Sequence, residues 1–179
     1  MDRRIARAEQ SRAALKRAFL TLFQTKEPEE ITIVELCETA GLNRSTFYAH
    51  YDFLDMLVQE VLWESVAEVV GHQTQWALPL EDGGVARDVI AAYLRRFLEN
   101  STVRRFCTCA DSGKYRTLII RAHVELSLGP VKDPVRYFKA YYHNAGSLNI
   151  ILEWLISGHS LPEESVVEII HGFSKVMYH

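Results

Sequence analysis

The stretch Ile31-Thr32-Ile33-Val34-Glu35-Leu36-Cys37-Glu38-Thr39-Ala40-Gly41-Leu42-Asn43-Arg44-Ser45-Thr46-Phe47-Tyr48-Ala49-His50-Tyr51 decides the fold, because it holds two helix starts and a tight turn within twenty-one residues. Thr32 is a good N-cap acceptor with Glu35 three positions on, the pattern of a capping box, and Ile31 and Leu36 stand at the hydrophobic-staple positions. A helix therefore starts at Thr32. Gly41 can take the left-handed conformation that ends it and turns the chain. Asn43 is a second N-cap, with Leu42 and Phe47 as its staple, and predicts a short helix from Arg44 to about His50. Asp52 caps a third start, with Tyr51 and Met56 as staple, where the chain enters a long helix.

Two short helices joined by a glycine-containing turn have the spacing of a helix-turn-helix, whose second helix can enter the DNA major groove. The same spacing fits a helical hairpin that only packs, so the exposed residues separate the two. With Phe47 facing inward, Arg44, Ser45, Thr46, Tyr48 and His50 are left as a surface of hydrogen-bond donors. A merely solvated face more often carries Glu and Lys. No carboxylate lies between Asn43 and Tyr51, as suits a surface that approaches phosphates.

Outward from this stretch the apolar spacing is helical almost everywhere, and strand-type alternation is absent. The first helix carries Leu15, Ala18, Phe19, Leu22 and Phe23 as one apolar stripe and ends before Pro28. Later helices are expected over about 53–78, 84–100, 102–110, 113–128, 134–157 and 161–177. The chain reads as all-α, with a three-helix head at 1–52 joined by a long helix to a helical domain at 53–179. Between 134 and 157 apolar residues fall on two lines: Val135, Phe138, Tyr142, Ala145, Leu152 and Ile156 on one, Tyr141, Leu148, Ile151 and Leu155 on the other. One face suits the core and the other a second copy, with Gly146 and Ser147 permitting close approach. The last helix, expected to be capped by Ser160 with Glu163, completes a four-helix homodimer contact over about 134–157 and 161–177.

The core pattern Ile31-Thr32-Ile33 … Ala40-Gly41-Leu42-Asn43-Arg44-Ser45-Thr46-Phe47-Tyr48-Ala49-His50-Tyr51 resembles the TetR family of bacterial transcriptional regulators. The rest of the chain is similar to the family's variable carboxy-terminal domain, through Gly146 … Trp154 … Gly158 … Pro162-Glu163-Glu164. The resemblance implies a homodimer that binds a near-palindromic double-stranded DNA operator under the control of a small-molecule effector. It implies that Thr32, Tyr48 and His50 grip the phosphate backbone. Arg44, Ser45 and Thr46 are then placed to read base edges. The family usually has a lysine where Leu54 stands, which removes one phosphate contact. A TetR-fold coregulator acting through protein partners, with weak or no direct DNA binding, is the alternative. In the family the region of Trp63, Trp76, Tyr93, Phe97, Phe106, Tyr115 and His123 encloses an effector pocket. Each of these residues is read first as core, and none is assigned to an effector.

The 179 residues carry a formal net charge of −3, which on its face argues against a polyanionic partner. By position, residues 1–17 hold six Lys and Arg against two carboxylates, +4, and the remainder holds 14 against 21, −7. A cationic amino end on an acidic body is the expectation. Three cysteines, an odd count, and an arginine-rich start without a signal peptide imply a cytoplasmic protein with free thiols. No apolar run is long enough to span a membrane. Cys107-Thr108-Cys109 lacks the spacing of redox and zinc motifs. The histidines form no H-E-x-x-H, and neither a phosphate loop nor a nucleophile elbow is present. No catalytic residue, metal or cofactor is expected, and the chain is read as a non-enzyme.

Overall fold

The computed structural model describes residues 3–71, 84–128 and 133–178. Among them the regular elements are helices: α1 (Arg3–Phe23), a single 3-10 turn (Pro28–Glu30), α2 (Ile33–Ala40), α3 (Arg44–Tyr48), α4 (Leu54–Val70), α5 (Arg87–Glu99), α6 (Ser101–Thr108), α7 (Ser112–Leu128), α8 (Pro134–Ile156) and α9 (Glu163–Tyr178). No helix among the described residues is long and apolar enough to cross a membrane. The chain divides into two compact units, Met1–Leu62 and Trp63–His179, so the division falls inside α4, later than the 52/53 boundary read from the sequence.

The first unit is built on a small apolar centre. Leu15, Phe19 and Phe23 of α1, with the stacked rings of the two phenylalanines 5.4 Å apart, are buried together with Leu36 and Phe47 where α1 packs on α2 and α3. Thr32 caps α2 as read, its hydroxyl accepting the Glu35 amide at 3.2 Å, but the reciprocal half of the box does not form. The Glu35 carboxylate takes Lys26 Nζ at 2.6 Å instead. Gly41 ends α2 at φ +65, the left-handed conformation that favours glycine.

Three expected caps are corrected. Asn43 stands at the N-cap of α3 but makes no side-chain cap bond. α4 opens at Leu54, one residue beyond the start that an Asp52 cap would give. Met56 is 44% exposed and so forms no staple with buried Tyr51. Ser160 hydrogen-bonds Ser157 at 3.2 Å, and α9 begins only at Glu163, after Pro162. α3 is also shorter than expected, and Ala49 and His50 lie in a turn beyond it.

In the second unit α5 packs on α9, α6 on α7, and α8 on both α7 and α9. Tyr93, Leu94 and Phe97, Phe106, Tyr115 and Ile119, Leu148 and Leu152, and Ile170 supply most of its buried apolar bulk. Three residues read first as core, Phe97, Phe106 and Tyr115, are core. Trp63 is half-buried, and Trp76 lies outside the described residues, as does the expected continuation of α4 to 78. Asn100 makes the corner between α5 and α6 in a single residue. Its Oδ1 accepts the Val103 amide at 2.9 Å to cap α6, while its Nδ2 donates to the Ser65 carbonyl and the Glu68 carboxylate on α4. The turn from α8 to α9 is pinned by Trp154, whose Nε1–H donates to the Leu161 carbonyl at 2.8 Å and whose ring stacks on His159.

Candidate nucleic-acid interface

The helix-turn-helix geometry follows from three local devices: the Thr32 cap, the left-handed Gly41, and Phe47. Phe47 is fully buried, its ring tilted against Tyr51 at 5.6 Å, so the five-residue α3 is held by a single anchor. With that side chain inward, Arg44, Ser45 and Tyr48 are exposed and Thr46 is half-buried. The Tyr48 ring is 49% exposed and meets Phe47 edge-on, which holds the phenol while leaving its hydroxyl outward. Thr32 is exposed at the start of α2, where its oxygen already serves the Glu35 amide and its O–H remains a donor.

His50, read as gripping a phosphate, also bonds within the protein. Its Nε2 lies 2.7 Å from Ser11 Oγ on α1, in a half-buried position, so one ring nitrogen is committed within the protein. The Ser11 hydroxyl also lies 2.9 Å from the Ala8 carbonyl, so the pair is tied to the backbone of α1.

Sequence reasoning missed the residue that organises the base of this head. Glu60, on α4, receives Arg12 at 2.6 and 3.0 Å, Lys16 at 3.1 Å and the Tyr51 hydroxyl at 2.9 Å. Arg12 also donates to the Tyr51 hydroxyl at 3.2 Å and lies over that ring at 5.7 Å. Burial alone would raise the Glu60 pKa, but the bonds from Arg12, Tyr51 and Lys16 outweigh it and hold the carboxyl low. Burial lifts Tyr51 to about 12 against the opposing pull of Arg12, so it stays a phenol. The pairing of Arg12 and Lys16 at an i, i+4 spacing was visible as a sequence signal. Their partner is some forty residues away and was not.

This network also changes the charge argument. Two of the six cations of the amino-terminal segment share the single negative charge of Glu60. Over residues 1–62 the sequence carries eight Lys and Arg against ten Asp and Glu, a net −2, because Glu27, Glu29, Glu30, Glu35 and Glu38 crowd the 3-10 turn and α2. The positive charge is therefore a local feature of α1 and α3. Arg7 and Arg17 on α1 and Arg44 on α3 are exposed.

The comparisons agree with this geometry. No family model matches the chain. The dihydroxyacetone kinase operon activator DhaS superposes with a TM-score of 0.56 at 18% identity, over 93% of this chain and 97% of that one. A TetR transcriptional regulator from Rhodococcus sp. RHA1 gives 0.57 at 12%, over 94% and 96%. The TetR family repressor AlkX from Dietzia sp. gives 0.54 at 15%, over 94% and 97%. The chain has the TetR-family fold. In sequence it is 32% identical over 107 residues to YxbF of Bacillus subtilis, an uncharacterized HTH-type transcriptional regulator. That match takes 59% of this chain and 27% of YxbF, so it spans about a quarter of that relative's length. In TetR-fold terms α2 and α3 are the helix-turn-helix pair, and the second unit is the carboxy-terminal domain.

The three cysteines are free and buried. Burial raises the Cys107 thiol to about 12, which keeps it protonated and unreactive. Among the described residues no group of three or more His, Cys, Asp or Glu is placed to hold a metal ion.

Proposed function

We propose that the chain is a TetR-type transcriptional regulator that binds a near-palindromic operator as a homodimer and responds to a small-molecule effector. The observation that carries the reading is the outer face of α3: Arg44, Ser45 and Tyr48 exposed together, free of carboxylates, on a helix anchored from behind by Phe47. Arg44 would make the bidentate contact to guanine, with Ser45 and Thr46 on neighbouring base edges. Thr32, Tyr48 and His50 would hold phosphates.

The dimer is supported by the second unit's outer surface. Of the first apolar line on α8, Leu152 is buried, while Val135, Phe138, Tyr142 and Ile156 are exposed, joined by Tyr141 from the second line. On α9 Ile169, Phe173 and Val176 are exposed. Phe138 and Tyr142 at 69% and 71%, and Phe173 and Val176 at 61% and 79%, are far more open than such side chains are in a finished core. Gly146 and Gly172 interrupt these faces with open space, where a second helix can approach closely. Twofold pairing through α8 and α9 would set two copies of α3 on half-sites about 34–36 Å apart or a little more.

Fluorescence anisotropy across promoter fragments tests the reading. Arg44→Ala with Tyr48→Phe should abolish preferential binding while sedimentation still reports a dimer. Equal binding of all fragments at low salt would count against it. One observation favours a second reading, a coregulator working through a protein partner. The first unit is net −2, and Asp52, exposed Phe53 and Asp55 come a few residues after α3, with Leu54 among them. Retained regulation by the double variant would favour that reading.

A further inference from the structure

The second unit encloses a cavity of about 20 Å³, room for one water, between Ile90 and Tyr93 of α5, His123 of α7, and His143, Asn144 and Leu148 of α8. Its wall is two-sided. Leu148, Ile151, Ile90 and Ile170 are apolar, whereas Tyr93, His123, His143, Asn144 and Ser147 are polar. The Tyr93 hydroxyl and His123 Nδ1 are hydrogen-bonded at 2.8 Å with their rings edge to face, which fixes one polar corner. Asn144 is only 3% exposed, and its Nδ2 is buried with no hydrogen-bond acceptor. A buried amide donor left open is costly unless something accepts from it, and buried polar groups are otherwise satisfied almost without exception.

The lining also says what does not fit. No Asp, Glu, Lys or Arg contributes to it. Burial holds both histidines in the neutral form, His123 most strongly. A charged ligand would lose its hydration without gaining a counter-charge. An apolar ligand would leave Asn144 Nδ2 unpaired.

We infer that this cavity is the effector site and takes a small, uncharged oxygen compound of a few carbons, a ketone, aldehyde or alcohol. Its oxygen accepts from Asn144 Nδ2 and its hydrocarbon end lies on Leu148 and Ile151. As it stands the space has room for a single water. The ligand fills it and presses Leu148 and Ile151 outward, so the site reports occupancy through α8. As an effector site it rests on the regulator reading. As a binding site it does not.

The test uses the full chain and butanone as probe, with butyrate and butylammonium as charged counterparts of similar size. Imidazole nitrogen spectra report the rings of His123 and His143. Butanone is expected to shift both saturably, with the charged probes at least about tenfold weaker. Asn144→Leu should weaken butanone about tenfold. Leu148→Ala, which enlarges the cavity, should tighten it. Unmoved ring resonances with butanone in the wild type, or equal binding of butyrate, overturn the inference and leave a cavity that holds only water. That wild-type comparison stands even if a variant fails to fold. Operator binding is followed on the same samples. Fragments bound with no butanone response sink the site and spare the regulator reading. A butanone response with no fragment bound does the reverse.

Discussion

Lowering the pH from about 7.5 to about 5 should destabilise the second unit through His123, and the size of the effect follows from its surroundings. Burial depresses its pKa from the ordinary 6.5 to about 4, with His143 on α8 adding a smaller push in the same direction. Tyr93, from α5, is the other titratable group against the ring, and burial raises its pKa, so it stays neutral throughout. In the unfolded chain the imidazole takes up a proton near 6.5, while in the folded protein it stays neutral until about 4. Between those values the unfolded state holds more protons. Stability is therefore fully present above the unfolded pKa and falls as the pH drops through the window. One pKa unit is worth about 1.4 kcal/mol, so His123 alone costs about 2 kcal/mol at about pH 5 and about 3.4 kcal/mol below both values. His143, also held low by burial, adds to the loss. Urea unfolding of wild type and His123→Gln at both pH values isolates the effect, because the carboxylates and other histidines are common to both. The variant should lose about 2 kcal/mol less on acidification than wild type. Equal losses would refute the reasoning.

Other perturbations test the remaining structure. Phe47→Ala removes the sole buried anchor of α3 and should cost about 3–5 kcal/mol in chemical denaturation, with loss of operator binding. Glu60→Gln removes the charge and turns one acceptor oxygen into an amide donor, so Arg12, Lys16 and the Tyr51 hydroxyl no longer share a carboxylate. A loss of about 1–3 kcal/mol in the same measurement is expected, and no change would mean the network is ornamental. Phe138→Glu with Phe173→Glu places charges on exposed faces, so sedimentation should show a monomer whose melting temperature barely moves. Gly41→Ala meets no neighbour within 4 Å, yet forces a side chain into the left-handed region, and should cost about 1–2 kcal/mol in thermal unfolding.

What the sequence revealed and what it hid divide by distance along the chain. Thr32, Gly41 and Phe47 act on residues within a few positions of themselves, so their roles could be read from spacing, and the all-α fold followed from apolar periodicity. Cap assignments failed where an alternative lay close by, as when Ser160 paired with Ser157. His50 pairs with Ser11 and Glu60 with Arg12 across some forty residues or more, and no periodic pattern announces such a partner. The cavity is further still from legibility. It is assembled from four helices, and its defining feature, an amide donor with nothing to receive it, exists only once they are packed. The charge split was legible only in part: Arg12 and Lys16 share Glu60, while Arg7 and Arg17 stay exposed.

The corner at Asn100 has a mechanical meaning. A loop between α5 and α6 would absorb a displacement of one helix before the other felt it, but a single residue that ends one, starts the other and is tied to α4 leaves no slack. Tyr93, at the middle of α5, and Asn100, at its end, ride on the same short rod. A nudge at the phenol is therefore delivered to α6 as motion, not dissipated as local disorder.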